Sequence, residues 1–313
     1  AVVANNAKFG PEDTPMPQAP HPLLVPIWSA ILCLLTTACA ARGIRVDLGF
    51  EGSNLATWEE VAPGTLDVTI RNDTNNPARR WYSFKVEGAK GQNLRVNITN
   101  ARGASADVAW PYNQPVVSAD GGKTWTRVPQ TQYEGATFSF WHEVQSDSEW
   151  FALLYPYSFQ RWLDLVEDLR GEERVAFVKE IGQSLQGRPV HLTGFSAPGT
   201  DPASKPSIWV TSRVHPAETG ASWQLEGFIE WLLGDDPQAA ELLDQAGVFV
   251  VGVLNPDGVA LGNYRMDSLG QNLNREWHVE DPAKVPTLLP VKNAMRDYLA
   301  AGGDIRVFFD LHC

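Results

Sequence analysis

The spacing of apolar residues changes near residue 150 and divides the chain into two regions. In the first region, apolar and polar residues alternate over short stretches, as in Leu66, Val68, Ile70 and in Leu94, Val96, Ile98. A period of two is the pattern of strands that bury one face. Turn residues separate these stretches, and helical periodicity of useful length is lacking. We therefore expect residues 42–150 to form an antiparallel β-sandwich domain.

One turn in this region has a special composition. Val116 to Trp125 is predicted to be a tight hairpin with Asp120-Gly-Gly122 at its tip. The segment also matches the Asp-box pattern of sialidases. A sialidase-type propeller needs several copies of the Asp-box and the sequence holds one, so we favour a structural hairpin stabilised by its own contacts.

After residue 150 the pattern alternates between helical faces and short apolar runs. Phe159, Trp162 and Val166 lie on one helical face, with Ser158 as the candidate N-cap. Further helices are predicted at 172–181, 217–233 and 287–300, and strands at 189–196, 207–213, 248–254 and 305–312. This alternation predicts an α/β fold, an open mixed sheet with helices on both faces.

The first 41 residues differ from the rest. Leu23 to Leu35 is a short apolar run followed by small residues up to Ala41. It is too short to span a membrane but is typical of a signal-peptide core. Residues 1–41 are therefore interpreted as an upstream segment with a signal peptide, and the protein as exported to the periplasm or outside the cell. A lipid anchor at Cys39 is a less favoured alternative, and a cytoplasmic location follows if the segment is not a signal.

Charge and cysteine content exclude some classes of protein. Twenty-five Lys and Arg residues against 37 Asp and Glu give a net charge of −12. Nucleic-acid binding depends on basic contacts to phosphate, so it is not expected. Three Cys residues, two of them in the N-terminal apolar segment, cannot make a disulfide framework.

Unusual polar residues follow three of the predicted strands. His215-Pro-Ala-Glu218 follows one, Asn255-Pro-Asp-Gly258 follows the next, and His312 ends a third. Taken singly, a His at a strand end is more often structural, and Asn-Pro-Asp-Gly is usually a turn. Ligands of open α/β sheets bind beyond the carboxyl ends of the strands. The coincidence at three strand ends therefore favours a functional site.

The residue types at these strand ends predict a metal site. His215 and Glu218 are close in sequence, and His312 supplies a third candidate ligand. Two His and one Glu with an open fourth position is a ligand set of hydrolytic zinc enzymes. Arg265 and Arg275 lie in the loop after the second strand and would suit an anionic substrate group and a developing oxyanion. Surface salt bridges are the alternative for both.

From about Tyr155 onward the chain resembles the zinc metallocarboxypeptidases of the funnelin (M14) type. The matching blocks occur in the family's order: Ile181–Pro189, His215–Glu218, Asn255–Gly258, Gly262–Arg265, Asn272–Trp277 and Phe309–His312. The cytosolic-carboxypeptidase-like branch is indicated by Phe151–Ser158, which resembles the Tyr-Pro-Tyr segment that links a β-sandwich to the catalytic domain in that branch.

The resemblance implies roles for particular residues. One Zn²⁺ ion would be bound by His215, Glu218 and His312, and the oxyanion would be stabilised by Arg265. The C-terminal carboxylate of the substrate would be held by Asn274 and Arg275. Arg188 would lie near the substrate groove. The implied reaction is hydrolysis of the last peptide or isopeptide bond of a peptide or protein.

The chain departs from the family at its end. The family's general-base Glu and a late substrate-contacting Tyr lie downstream of the third ligand, and the sequence stops one residue after His312. We therefore expect residues 151–313 to be the N-terminal part of a carboxypeptidase-like catalytic domain, incomplete and inactive as a fragment.

Two alternatives to the peptidase stay open at this point. One is a zinc amidohydrolase of the aspartoacylase or desuccinylase type, which shares the H-x-x-E motif. The other is an exported peptide- or glycan-binding protein with an inactive peptidase domain. The predicted sandwich and the Tyr-Pro-Tyr segment favour the peptidase.

Overall fold

The structure, a computed structural model, describes residues 43–313. The predicted signal peptide and Cys39 lie outside the described residues. Within residues 43–313, no helix combines the length and apolar character needed to cross a lipid bilayer.

Two five-stranded sheets form the sandwich. The first, in the order β1-β4-β10-β6-β7, contains β1 (Arg45–Asp47), β4 (Ser83–Glu87), β6 (Val116–Ser118), β7 (Thr126–Arg127) and β10 (Ser148–Ala152). The second, in the order β2-β3-β5-β9-β8, contains β2 (Thr57–Ala62), β3 (Thr65–Thr69), β5 (Asn93–Ile98), β8 (Thr131–Glu134) and β9 (Thr137–Glu143).

The alternation read from the sequence correctly identifies the buried face of the sandwich. Leu66 and Val68 on β3 are buried, as are Leu94 and Val96 on β5. One strand pair differs from the antiparallel expectation, because β3 and β5 run parallel. The chain between them passes through β4 in the other sheet, and such a crossover returns a strand in its original direction.

The third sheet forms the core of the α/β region. Its order is β11-β12-β14-β13-β15, from β11 (Val175–Gln183), β12 (Pro189–Phe195), β13 (Pro206–Ser212), β14 (Gly247–Val251) and β15 (Asp304–Leu311). The strands β13, β14 and β15 are parallel, whereas β11 and β12 join antiparallel. The sheet is mixed, as predicted.

Helices cover both faces of this sheet. They are α1 (Phe159–Asp168), α2 (Thr219–Leu233), α3 (Pro237–Gln245), α4 (Pro256–Ala260) and α5 (Leu288–Ala300). On β14, Val248 and Val250 belong to the core shared with α1, α2 and α3, and Phe249 and Val251 belong to the core shared with α5. Ser158 caps α1 by accepting from Arg161 N, as predicted.

One predicted element is wrong. The segment 172–181 was expected to be helical, but it contributes to β11, which pairs antiparallel with β12. Val175, Val178 and Ile181 are three residues apart, which resembles helical spacing. Register shifts occur between Val175 and Phe177 and between Glu180 and Gly182. These irregularities break the period of two, so the apolar spacing of this strand resembles that of a helix.

Candidate metal centre

Three predicted ligands meet in one cluster. Glu218 contacts both histidines, with Oε1 2.8 Å from His215 Nδ1 and Oε2 2.9 Å from His312 Nδ1. The two imidazole centroids lie 5.1 Å apart. One ligand atom from each residue falls within 4.8 Å of the other two. These are the only three residues among those described that form a His, Cys, Asp or Glu group of this kind.

The parallel pairing of β13 and β15 brings the ligands together. Ser212 and Leu311, the last residues of the two strands, are paired in register. The chain leaves β13 through Arg213, which has a left-handed φ of 55°, and reaches His215 two residues later. His312 follows directly after β15. His215 and Glu218 lie in the turn before α2, with Glu218 as its N-cap, so the helix begins two residues later than the predicted start at 217.

Arg213 holds the turn that carries His215. Its guanidinium is buried and donates to the Pro216 carbonyl from Nε at 3.0 Å and from Nη2 at 2.6 Å. Nη1 donates to the Tyr157 carbonyl and to Ser222 Oγ. The chain between the two ligands is therefore tied to the Tyr-Pro-Tyr segment and to α2.

The second ring nitrogen of each histidine has its own acceptor. His312 Nε2 lies 2.8 Å from Asp310 Oδ2, and Thr211 Oγ1 donates to the other oxygen of Asp310 at 3.0 Å. His215 Nε2 lies 3.1 Å from Asn272 Oδ1. If each Nε2 carries the proton and donates to these acceptors, both Nδ1 atoms, which are directed at Glu218, can give their lone pairs to a metal ion. Two nitrogens and a carboxylate are donors that zinc accepts, so the residues fit the ion.

Asp310 and Asn272 were missed in the sequence analysis. For Asp310 a signal exists, because residues two apart on a strand share a face and the motif is Asp-x-His. Asn272 is 57 residues from His215 in sequence, and only the fold relates the two.

Electrostatics favour a cation at the cluster. Burial alone would raise the pKa of Glu218, but contact with the two histidines outweighs burial and holds that pKa below its usual value. Burial alone would lower the pKa of His312, but contact with Asp310 and Glu218 outweighs it and raises the pKa. The carboxylate is therefore ionised at neutral pH, and a proton on His312 would compete with a metal there.

The predicted substrate-binding residues lie in two segments. Asn272 Oδ1 contacts His215 and also accepts from Asn274 N at 3.1 Å. The backbone of Asn274 therefore lies close to the cluster, and the exposed Arg275 follows it in the chain. Arg265 is half-buried in the loop 261–270. That loop is linked to the cluster through Ala217 N, which donates to Tyr264 O at 3.1 Å.

Arg188 is engaged elsewhere. Its Nη1 lies 2.7 Å from Asp257 Oδ1. Asp257 is buried and also accepts from Ser184 and Ser268. The guanidinium therefore has a structural partner, and its predicted place near the substrate groove stays a prediction.

Comparisons with known proteins match both regions of the chain. A model of the cytosolic carboxypeptidase N-terminal domain matches residues 46–154, and a model of zinc carboxypeptidases matches residues 160–299. An uncharacterized protein of Zymomonas mobilis is 32% identical over 253 residues, which are 80% of this chain and 64% of that protein. Mouse cytosolic carboxypeptidase 6 is 31% identical over 286 residues, 86% of this chain and 53% of that protein. The chain thus spans between about half and two thirds of these curated relatives.

Solved structures show the same similarity. A metallo-carboxypeptidase from Burkholderia cenocepacia superposes with a TM-score of 0.79 at 31% identity, over 86% of this chain and 70% of that one. A metallo-carboxypeptidase from Pseudomonas aeruginosa, in complex with (2-guanidinoethylmercapto)succinic acid, superposes with a TM-score of 0.77 at 32% identity, over 86% and 69%.

Proposed function

Since the chain belongs to the zinc carboxypeptidase family and carries the N-terminal domain of its cytosolic members, we propose that it is a zinc-dependent metallocarboxypeptidase acting on peptide or protein C-termini. The observation that carries the proposal is the cluster of His215, Glu218 and His312, whose ligand atoms lie within 4.8 Å of one another. A zinc ion held there supplies Lewis acidity toward a water molecule and the scissile carbonyl.

The surrounding residues have separable tasks in this proposal. Asp310 and Asn272 fix the imidazole tautomers through Nε2, so that both Nδ1 lone pairs stay available. Arg275 is exposed and can form a bidentate pair with the free carboxylate of the substrate, with Asn274 beside it. Arg265 stabilises the developing oxyanion. Arg188 contributes to the substrate groove only if it exchanges its contact with Asp257.

The comparisons bear on the alternatives and on location. The aspartoacylase-type and inactive-binding alternatives are not favoured, because both family models are carboxypeptidase domains. Relatives named cytosolic carboxypeptidases support the cytoplasmic alternative for this protein. Export and the lipid anchor at Cys39 stay predictions from the first 41 residues. The inactivity of these 313 residues alone also stays a prediction, tested by comparing their activity with that of the full-length gene product.

Zinc stoichiometry provides the first test. The wild-type chain should bind one equivalent of zinc after dialysis, measured by elemental analysis. His215→Ala removes a buried ligand and should lose it, whereas His278→Ala, at an exposed His outside the cluster, should not. Full retention of zinc by His215→Ala would refute the assignment.

Substrate class is tested separately in the full-length protein. Peptides with a free C-terminus should lose their last residue in a zinc-dependent reaction, and peptides with an amidated C-terminus should not. Equal cleavage of both would show that the enzyme does not recognise the terminal carboxylate.

A further inference from the structure

The loop 261–270, which carries Arg265, is bound mainly by the sandwich. Six sandwich residues hydrogen-bond it: Asn54, Arg71, Asp73, Thr74, Asn75 and Asn76. Most of these bonds go to the backbone of the loop. They therefore fix the path of the loop backbone.

Asp73 makes more of these hydrogen bonds than any of the other five residues. It lies between β3 and β4, and the residue is 4% exposed. Its carboxylate accepts from three consecutive backbone N–H groups, of Tyr264 at 2.6 Å, Arg265 at 2.7 Å and Met266 at 2.9 Å. A carboxylate that accepts from three amides fixes the orientation of their peptide planes. The Cα of Arg265 lies within this held segment.

The loop approaches the sandwich backbone too closely for ordinary side chains at two positions. A Cβ on Gly262, whose φ is 67°, would lie 2.6 Å from Ser53 O. A Cβ on Gly270, whose φ is 88°, would lie 2.7 Å from Asn75 O. Both ends of the loop are therefore seated on the sandwich, with Asp73 between them.

The same segment reaches the metal cluster. Tyr264 donates its N–H to Asp73 and accepts at its carbonyl from Ala217 N, 3.1 Å away. Ala217 lies between the ligands His215 and Glu218. A single residue thus connects the sandwich carboxylate to the ligand-bearing turn.

We infer that the sandwich is a positioning element of the active site and that Asp73 is the positioning residue that sets Arg265 relative to the metal cluster. The inference rests on the proposed function through the role given to Arg265. It assigns to the N-terminal domain a part in the chemistry that neither its fold nor its sequence indicates. Asp73 touches neither metal nor substrate, and it acts through the backbone of Tyr264, Arg265 and Met266.

The first test measures the loop directly and needs no activity. Asp73→Asn keeps the shape of the side chain but replaces one acceptor oxygen with a donor. Amide hydrogen exchange at residues 264–266 should then accelerate by about tenfold or more, since hydrogen bonds to a charged group hold those amides. Asp120→Asn is the matched control, because Asp120 is a sandwich carboxylate that accepts from backbone N–H groups of its own hairpin. It should leave exchange at 264–266 unchanged.

The second test asks whether this constraint serves catalysis, using the zinc-loaded full-length protein. Asp73→Asn should lower kcat by about tenfold or more, with KM within about twofold, because a displaced Arg265 weakens transition-state stabilisation. In an Arg265→Ala background the same substitution should cause no further loss of kcat. A general loss of stability would reduce kcat equally in both backgrounds.

Three results overturn the inference in distinguishable ways. Unchanged exchange at residues 264–266 in Asp73→Asn would show that the contact does not hold the loop. Faster exchange with an additive loss of kcat would reduce Asp73 to a structural residue. If the wild-type protein shows no zinc-dependent turnover, the proposed function itself is refuted. The role of Asp73 in catalysis is then refuted with it.

Discussion

Replacement of Asp310 tests how a residue that contacts the candidate ligand His312 supports metal binding. Asp310 lies 2.8 Å from His312 Nε2 and is itself held by Thr211, 3.0 Å away. Its side chain is only 18% exposed, so water does not replace it easily. Asp310→Asn removes the negative charge and can turn an N–H toward Nε2. That orientation would move the ring proton to Nδ1, the atom that would have to bind the metal.

The expected loss of zinc affinity in Asp310→Asn depends on the difference between the zinc-bound and the zinc-free protein. The contact between Asp310 and His312 exists without metal as well, so only its strengthening on zinc binding counts. Partners of this kind contribute about 10–100-fold to metal affinity, which is about 1.4–2.7 kcal/mol. Asp310→Asn should also lower the pKa of His312, since Asp310 is one of the contacts that raise it. Below about pH 7, protons would then compete less with zinc for His312 in the variant than in the wild type. The difference in zinc affinity between the two proteins should therefore become smaller.

Competition with a chromogenic chelator measures this affinity. The assay should be run on the 313-residue chain at pH 7.5 and at pH 6, where the deficit should shrink. Asp304→Asn is the control, because Asp304 begins the same strand and pairs only with the exposed Arg306. An affinity within twofold of wild type at pH 7.5 would refute the reasoning, as would an equal loss in Asp304→Asn.

Three further predictions concern substrate recognition, packing and pH. Arg275→Lys should raise KM for peptides with a free C-terminus and change kcat little, since Lys lacks the bidentate geometry of Arg. Steady-state kinetics on free and amidated peptides measure this, and an unchanged KM would contradict it. Gly194→Ala should destabilise the fold by about 1–3 kcal/mol, because the added Cβ would lie 2.4 Å from the Phe177 ring. Gly171→Ala, which meets nothing within 4 Å, is its control in thermal unfolding, and equal melting points would count against the packing argument. Hydrogen bonds from Thr124 and its neighbours lower the pKa of Asp120 to about 2, so its contribution to stability is present above about pH 4 and is lost as pH falls toward 2. Asp120→Asn should flatten acid unfolding in that window, and an unchanged acid profile would contradict it.

The sequence predicted the elements whose patterns are local. Alternation located the buried faces of β3 and β5, and apolar runs located β13, β14 and β15 to within a few residues. The rule that sites lie beyond the carboxyl ends of strands correctly predicted that His215 and His312 lie close together. The segment 172–181 was misjudged because bulges gave a strand the spacing of a helix.

The residues that support the site could not be found in this way. Asp73 lies in a segment whose composition indicates only a turn, and its partners are about 190 positions away. Asn272 accepts from His215 across 57 residues. Such contacts depend on how the sandwich and the α/β region pack together, and composition and periodicity carry no information about that packing.

The parallel pairing of β13 and β15 has a consequence for the order of folding. The two strands are neighbours in the sheet but are separated in sequence by two helices, α2 and α3, by β14 and by α4 and α5. Pairing across so long a segment forms slowly, because the entropy of closing the loop must be overcome first. His215 and His312 come within reach of one ion only after β15 has docked. Metal uptake during refolding should therefore follow formation of the sheet edge, and bound metal would stabilise the docked strand by mass action.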